Sequence, residues 1–139
     1  MWTAKEKPDI PDIQIENTGI FWNKQTVGWL RNQSSKEEMG SIYTLPGLDL
    51  NYAAVVIGPE LYYDPADNRI KVDRSHLYDK TVKVNTSDED LITYVLNTYG
   101  VFMTRGIMGT YVYACDKNLR KYLQKYIPPA TKQHGGFQG

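Results

Sequence analysis

The chain has 139 residues, with 16 Lys or Arg against 16 Asp or Glu and a formal net charge of zero. That length suits one domain or a piece of a larger one. The charge balance argues against a free-standing nucleic-acid binder, which ordinarily carries a basic excess, although one lip of a cleft whose other lip is basic remains open. A single cysteine, Cys115, excludes an internal disulfide framework, and the absence of a signal peptide or long apolar run reads as a cytoplasmic chain that does not enter a membrane.

Residues 1–12 carry Pro8 and Pro11 without any period and read as an extended arm. Ile13 to Glu16 and Gly19 to Trp22 alternate around Asn17-Thr18-Gly19, a hairpin signal. A polar, irregular stretch follows, with Trp29 and Leu30 as anchors. Ser41 to Thr44 is a short strand broken by Pro46-Gly47. Ala53-Ala54-Val55-Val56-Ile57 is a continuous apolar run closed by Gly58-Pro59, the pattern of a central strand covered on both faces. Leu61 to Tyr63 and Arg69 to Val72 flank Asp64 to Asn68 as a second hairpin.

Thr86 stands three residues before Glu89, the spacing of a capping box, and Ile92, Val95, Leu96 and Tyr99 then fall at helical intervals. Gly106 reads as the helix terminator. Thr110 to Cys115 is another apolar strand. Asp116 is placed to cap a last helix with Leu119, Tyr122, Leu123 and Tyr126 on one face, stopped by Pro128-Pro129. Residues 128–139 read as a flexible tail. Strands followed by strand–helix–strand–helix predict an α/β fold with a mixed sheet after a hairpin-rich first third. The expected core is Ile42, Val55, Val56, Ile57, Leu91, Val95, Val101, Tyr111, Val112 and Leu119.

Much chemistry is absent from the sequence. There is no Gly-x-x-x-x-Gly-Lys-Ser/Thr loop, no Gly-x-Gly-x-x-Gly after a strand and no zinc-spaced Cys/His cluster. His76 and His134 read as ordinary surface histidines, and Cys115 as a buried, inert thiol. Asp88-Glu89-Asp90 is explained by the positive end of a helix dipole, so no metal site is expected.

Two segments carry a family likeness. The segment Ser41 to Pro59, in which Thr44-Leu45-Pro46-Gly47-Leu48-Asp49-Leu50 leads into the apolar strand, resembles motif V of superfamily 1 helicases. Val101-Phe102-Met103-Thr104-Arg105-Gly106 resembles their motif VI, and the two occur in the right order. From about Ile13 to Ile127 the chain is similar to a bacterial and phage group of helicase-like P-loop ATPases, a conserved domain of unknown function related to Schlafen-type ATPases. Three departures stand out. Pro46 replaces the usual glutamine, Met108 stands where many relatives have a basic residue, and the ATPase half with its P-loop is missing.

The resemblance implies that residues 13–127 are the C-terminal part of a second RecA-like domain with a mixed, largely parallel sheet. Arg105 would be the catalytic arginine that reaches the γ-phosphate of ATP. Gly47, Asp49 and Thr104 would line the nucleotide side, and Thr44 the nucleic-acid side. ATP and Mg2+ would be cofactors of the complete protein only; its partners would be the missing N-terminal P-loop ATPase domain and DNA or RNA. Each residue also has an ordinary reading. Arg105 before a glycine is a cation at a helix C-terminus; Gly47 and Asp49 make a turn before a strand; Thr44 and Thr104 cap backbone locally. Two functions therefore stand: an ATPase of helicase type to which this chain contributes an arginine and a coupling loop while being inactive alone, or a non-enzymatic protein-interaction module.

Overall fold

The computed structural model describes residues 10–22, 38–40, 49–77, 82 and 86–130. Ile42, Thr44 and Gly47 lie outside them, as do Trp29, Leu30, His134 and most of the arm and tail. The described elements are mixed α/β. Strands β1 (Ile13–Ile15), β2 (Thr18–Trp22), β3 (Glu38–Met39), β4 (Leu50–Ile57), β5 (Leu61–Asp64) and β6 (Arg69–Val72) precede helix α1 (Asp88–Met103), strand β7 (Gly106–Ala114) and helix α2 (Lys117–Leu123). The chain divides into two compact units, Met1–Ala53 with Leu96–Thr110, and Ala54–Val95 with Tyr111–Gly139.

In the first unit, β1 and β2 form the expected antiparallel hairpin, with Ile13 opposite Ile20 and Ile15 opposite Thr18. The two-residue loop is Glu16-Asn17, one position earlier than the sequence suggests, and Glu16 adopts a left-handed φ of 51°. β3 adds to β2 in parallel, pairing Phe21 with Glu38 and Trp22 with Met39. Asp12, at the end of the arm, is buried, and its Oδ2 accepts from the Trp22 N–H at 2.9 Å. A buried carboxylate needs such a donor. Gly19 is required by packing: a Cβ there would sit 2.7 Å from the Pro11 ring.

β4 is paired with β7, as their apolar continuity predicts. The Leu50 N–H donates to the Arg105 carbonyl at 2.9 Å, and at the far end the Cys115 N–H donates to the Ile57 carbonyl at 2.9 Å, so the two strands run parallel. The pairs β2–β3 and β4–β7 are parallel and β1–β2 and β5–β6 antiparallel, so the β1–β2–β3 sheet is mixed. The expectation of a strand buried on both faces is not met by β4. Ala53, Val55 and Ile57 are buried while Ala54 is exposed and Val56 half-buried. The period of two marks a strand with one covered face.

In the second unit, β5 and β6 pair from Leu61–Val72 to Asp64–Arg69. The four-residue loop ends at Asn68, which takes a φ of 53° and accepts from the Tyr63 hydroxyl. Lys71 donates to Asp64 at 2.7 Å and also reaches Asp67. Asp116 caps α2 by accepting from the Leu119 N–H at 2.7 Å, as the sequence predicts. The same Oδ1 accepts from the Tyr63 N–H at 3.1 Å, so one carboxylate fastens β5 to α2. The rings of Tyr63 and Tyr122 stack at 4.5 Å. Ile57, Leu91 and Leu119 are the most deeply buried side chains, each worth about 1.5–3 kcal/mol of transfer free energy.

The cap of α1 lies one residue later than Thr86. The Ser87 Oγ accepts from the Asp90 N–H at 3.2 Å and donates to the Asp90 carboxylate at 2.7 Å. Both registers fit a capping pattern, and serine ranks above threonine as a cap. The Thr86 carbonyl is instead taken by Arg74, whose Nε also bonds Asp88 at 2.7 Å. Asp88, Glu89 and Asp90 occupy the first turn, the favourable end for acids. Leu91 and Val95 are buried as expected; Val101 and Tyr111, expected in the core, are 55% and 58% exposed. Helical or strand periodicity marks a face, and only a covering layer buries it.

Candidate functional site

The site of interest is the turn that joins α1 to β7 in the first unit. α1 ends at Met103 and β7 begins at Gly106, so Thr104 and Arg105 make the whole connection. The last helical carbonyls have no partner within an ideal helix and must find one. Here Val101 receives the Thr104 N–H at 3.3 Å, the Thr104 hydroxyl at 2.8 Å and the Arg105 Nε–H at 3.2 Å. Phe102 receives the Arg105 N–H at 3.2 Å, and Met103 the Thr110 hydroxyl at 2.9 Å. The bonds to residues three back tighten the helix end.

Gly106 starts the strand and does not itself stop the helix. A Cβ there would collide with the Gly109 carbonyl and lie 2.7 Å from the Thr110 Oγ1. The close approach of the Gly109 backbone therefore leaves room at this position for glycine alone. Just before it, the Arg105 carbonyl accepts from the Leu50 N–H at 2.9 Å.

The two family-like segments meet here. Asp49, exposed, immediately precedes Leu50, and Leu50 is bonded to Arg105. Asp49, Thr104 and Arg105 thus gather at one end of the β4–β7 pair. Gly47 and Thr44 lie outside the described residues. Arg105 is half-buried with its Nε committed to Val101. Bidentate recognition of phosphate oxygens uses paired guanidinium donors, and the two terminal nitrogens supply such a pair beyond the Nε bond. The Thr104 hydroxyl proton already goes to Val101, so a phosphate oxygen at that position would compete with a backbone acceptor. The local readings drawn from the sequence, a cation at the helix C-terminus and a threonine capping backbone, are both realised.

The second unit holds a separate open cavity of about 340 Å³ lined by Pro59, Tyr62, Asp73, Cys115 and Asp116. Burial, then the nearby charge of Glu60, pushes the Cys115 thiol above its ordinary value, so it stays protonated at neutral pH. Cys115 is half-buried, less enclosed than its apolar context suggests. Asp73 is held at about 2 by the Ser75 hydroxyl, the Ser75 N–H and His76. Its carboxylate caps a 3-10 turn at Arg74–His76. Among the described residues no three His, Cys, Asp or Glu side chains are grouped to hold a metal ion, and no helix is long and apolar enough to cross a membrane.

Residues 1–116 match the family profile of the Schlafen group 3 DNA/RNA helicase domain. The chain belongs to this helicase-domain family. The segment that matches includes the motif V-like and motif VI-like stretches and the whole of β4 and β7. A yeast protein, Uncharacterized protein YPL245W of Saccharomyces cerevisiae, is 35% identical over 118 residues, which is 78% of this chain and 26% of that relative. The chain therefore spans about a quarter of the relative's length. No solved structure matches.

Local reasoning on the sequence missed two features that the structure displays. The buried Asp12 carboxylate carries no sequence signal beyond an acid beside a proline. The double role of Asp116 is half legible, because a cap can be read from spacing while its bond to the Tyr63 N–H depends on where β5 lies.

Proposed function

We propose that this chain is the C-terminal part of the second RecA-like domain of a cytoplasmic, superfamily 1-like, Mg2+-dependent ATPase that acts on DNA or RNA. In that reading the nucleotide is held mainly by an N-terminal P-loop domain supplied elsewhere in the protein. Arg105 is presented to the γ-phosphate and offsets the charge that develops during phosphoryl transfer. Asp49 and Gly47 belong to the loop that couples the nucleotide cleft to the nucleic-acid track, Thr104 flanks the phosphate side, and Thr44 faces the nucleic acid. Membership of a helicase-domain family supports the general class. The observation that carries the specific assignment is the bond between Leu50 and Arg105, which ties the coupling segment directly to the arginine turn.

By itself the chain neither holds nor hydrolyses ATP, because it lacks the backbone loop and lysine that cradle phosphates. The test is turnover by the complete protein carrying Arg105→Ala or Arg105→Lys, with the P-loop lysine variant as the inactive reference. Turnover like that of the unaltered protein in Arg105→Ala removes the catalytic assignment.

A second reading, a non-enzymatic module that binds a protein partner, is favoured by one observation. Ile107 and Met108, immediately after the turn, are 71% and 67% exposed, apolar side chains that a partner would cover. A complete protein without nucleic-acid-stimulated ATP turnover selects this second reading.

A further inference from the structure

α2 carries a charge pattern that its own stability explains only in part. From Lys117 to Tyr126 the chain has Lys117, Arg120, Lys121 and Lys125 and no acid, within a chain of zero net charge. Arg120 is used internally: its guanidinium lies 4.3 Å from the Tyr113 ring centre, its Nη2 donates to the Tyr113 hydroxyl at 2.7 Å and its Nε to the Ala114 carbonyl at 3.0 Å. The other three do not share that role. Lys117, Lys121 and Lys125 are exposed, recur every four residues, and form no ion pair among the described residues.

Backbone bonds from Gln124 to Arg120, Lys125 to Tyr122, Tyr126 to Leu123 and Ile127 to Leu123 keep the chain wound past the end of α2. Lys117, Lys121 and Lys125 therefore follow one another along one side of the turns, each step offset by about 40°. Like charges four apart on a helix repel, and Lys117 sits in the first turn, where the dipole disfavours a cation. Lys121, in the last turn, is favoured by the same dipole, so helix stability accounts for part of the row and not for Lys117.

An aromatic surface adjoins it. Tyr126 is 70% exposed, the largest exposure of any aromatic side chain described. Its ring is backed by Tyr122 at 5.3 Å, and Tyr122 is in turn stacked on the buried Tyr63. The Lys125 ammonium lies 5.6 Å over the Tyr122 ring. Tyr126 is thus an exposed ring on a fixed support, beside a line of cations. A polyanion with flat rings matches both halves of this surface, because phosphates meet the lysines and an unpaired base stacks on the tyrosine.

We propose that the Lys117–Lys121–Lys125 row and Tyr126 form a binding surface for single-stranded nucleic acid. The choice of nucleic acid over another polyanion rests on the helicase-type reading above. None of these residues belongs to the arginine turn.

The test is fluorescence anisotropy of labelled oligothymidylate and oligouridylate with the full chain at low salt, repeated across a salt series. A duplex and polyglutamate serve as competitors. Replacing all three lysines by glutamine should weaken single-strand binding about tenfold or more and reduce the slope of log affinity against log salt by about 2. Tyr126→Ala should weaken it about tenfold, while Tyr126→Phe retains it. Preference between the two oligomers tells DNA from RNA.

Several results would overturn the proposal: no binding by the unaltered chain, unaltered affinity in the triple glutamine chain when its circular dichroism is native, equal affinity in Tyr126→Ala, or competition by polyglutamate as effective as by oligothymidylate. The anisotropy measurement contains no nucleotide and needs no P-loop domain. Failure of the ATPase assignment therefore shows in turnover and failure of this surface in anisotropy.

Discussion

The Leu50 N–H donates to the Arg105 carbonyl at 2.9 Å, joining the start of β4 to the turn that ends α1. This one bond brings together two segments more than fifty positions apart in sequence. It also sets what can be asked of Arg105, because the backbone of the turn is held from one side by the helix end and from the other by a strand. A guanidinium on so fixed a base can be presented to a ligand without further ordering.

In the complete protein, Arg105→Ala should lower ATP turnover by about 10³-fold or more. Arg105→Lys should recover little of it, because a single ammonium does not reproduce the paired donors. Stability should change little: the side chain contributes one bond to a helix-terminal carbonyl, of the order of 0.3–1 kcal/mol. Turnover measured beside the melting temperature checks this. A loss of turnover that follows loss of folding assigns Arg105 to the helix end alone.

Two glycines make opposite predictions. Gly106→Ala drives a methyl group into the Gly109 carbonyl and should cost about 1–3 kcal/mol. Gly100, inside α1, has nothing within 4 Å of its would-be Cβ. Gly100→Ala should therefore stabilise by about 0.5–1 kcal/mol through better helix propensity. Urea unfolding of the two variants side by side decides. Equal effects would mean that the approach of the Gly109 carbonyl to Gly106 is not tight.

Asp116→Ala removes acceptors from both the Leu119 and Tyr63 N–H groups. The expected destabilisation is about 1–3 kcal/mol, combining a lost cap with an unsatisfied strand donor. Asp116→Asn keeps an acceptor oxygen and should lose much less. If the two variants unfold alike, the carboxylate's charge and not its hydrogen bonds is what matters.

Acid should destabilise the second unit through Asp73. Its carboxyl sits at about 2 against an ordinary 3.8, so the folded state favours the ionised form. The stabilisation is complete above the ordinary value and fades as pH falls through about 2. Asp64, lowered by its bond to Lys71, acts in the same direction. Melting temperatures followed into acid should fall less steeply for Asp73→Asn than for the unaltered chain. Identical profiles would show that the Ser75 and His76 contacts do not distinguish the two protonation states.

What the sequence determined by itself is local. The β1–β2 and β5–β6 hairpins, the cap by Asp116 and the order helix, Thr-Arg-Gly, strand all follow from interactions within a few residues, where turn chemistry and propensity act without a partner. The pairing of β4 with β7 was legible because two long apolar strands flank one helix. Tertiary structure decided the rest. It chose Ser87 over Thr86 as the cap, because Arg74 claims the Thr86 carbonyl. It started β7 four residues before Thr110, where the chain comes alongside β4 with the Leu50 N–H bonded to the Arg105 carbonyl. It left Val101 and Tyr111 exposed and gave β4 a single covered face. An apolar side chain records a tendency to leave water, and burial requires a second surface whose position no local pattern encodes.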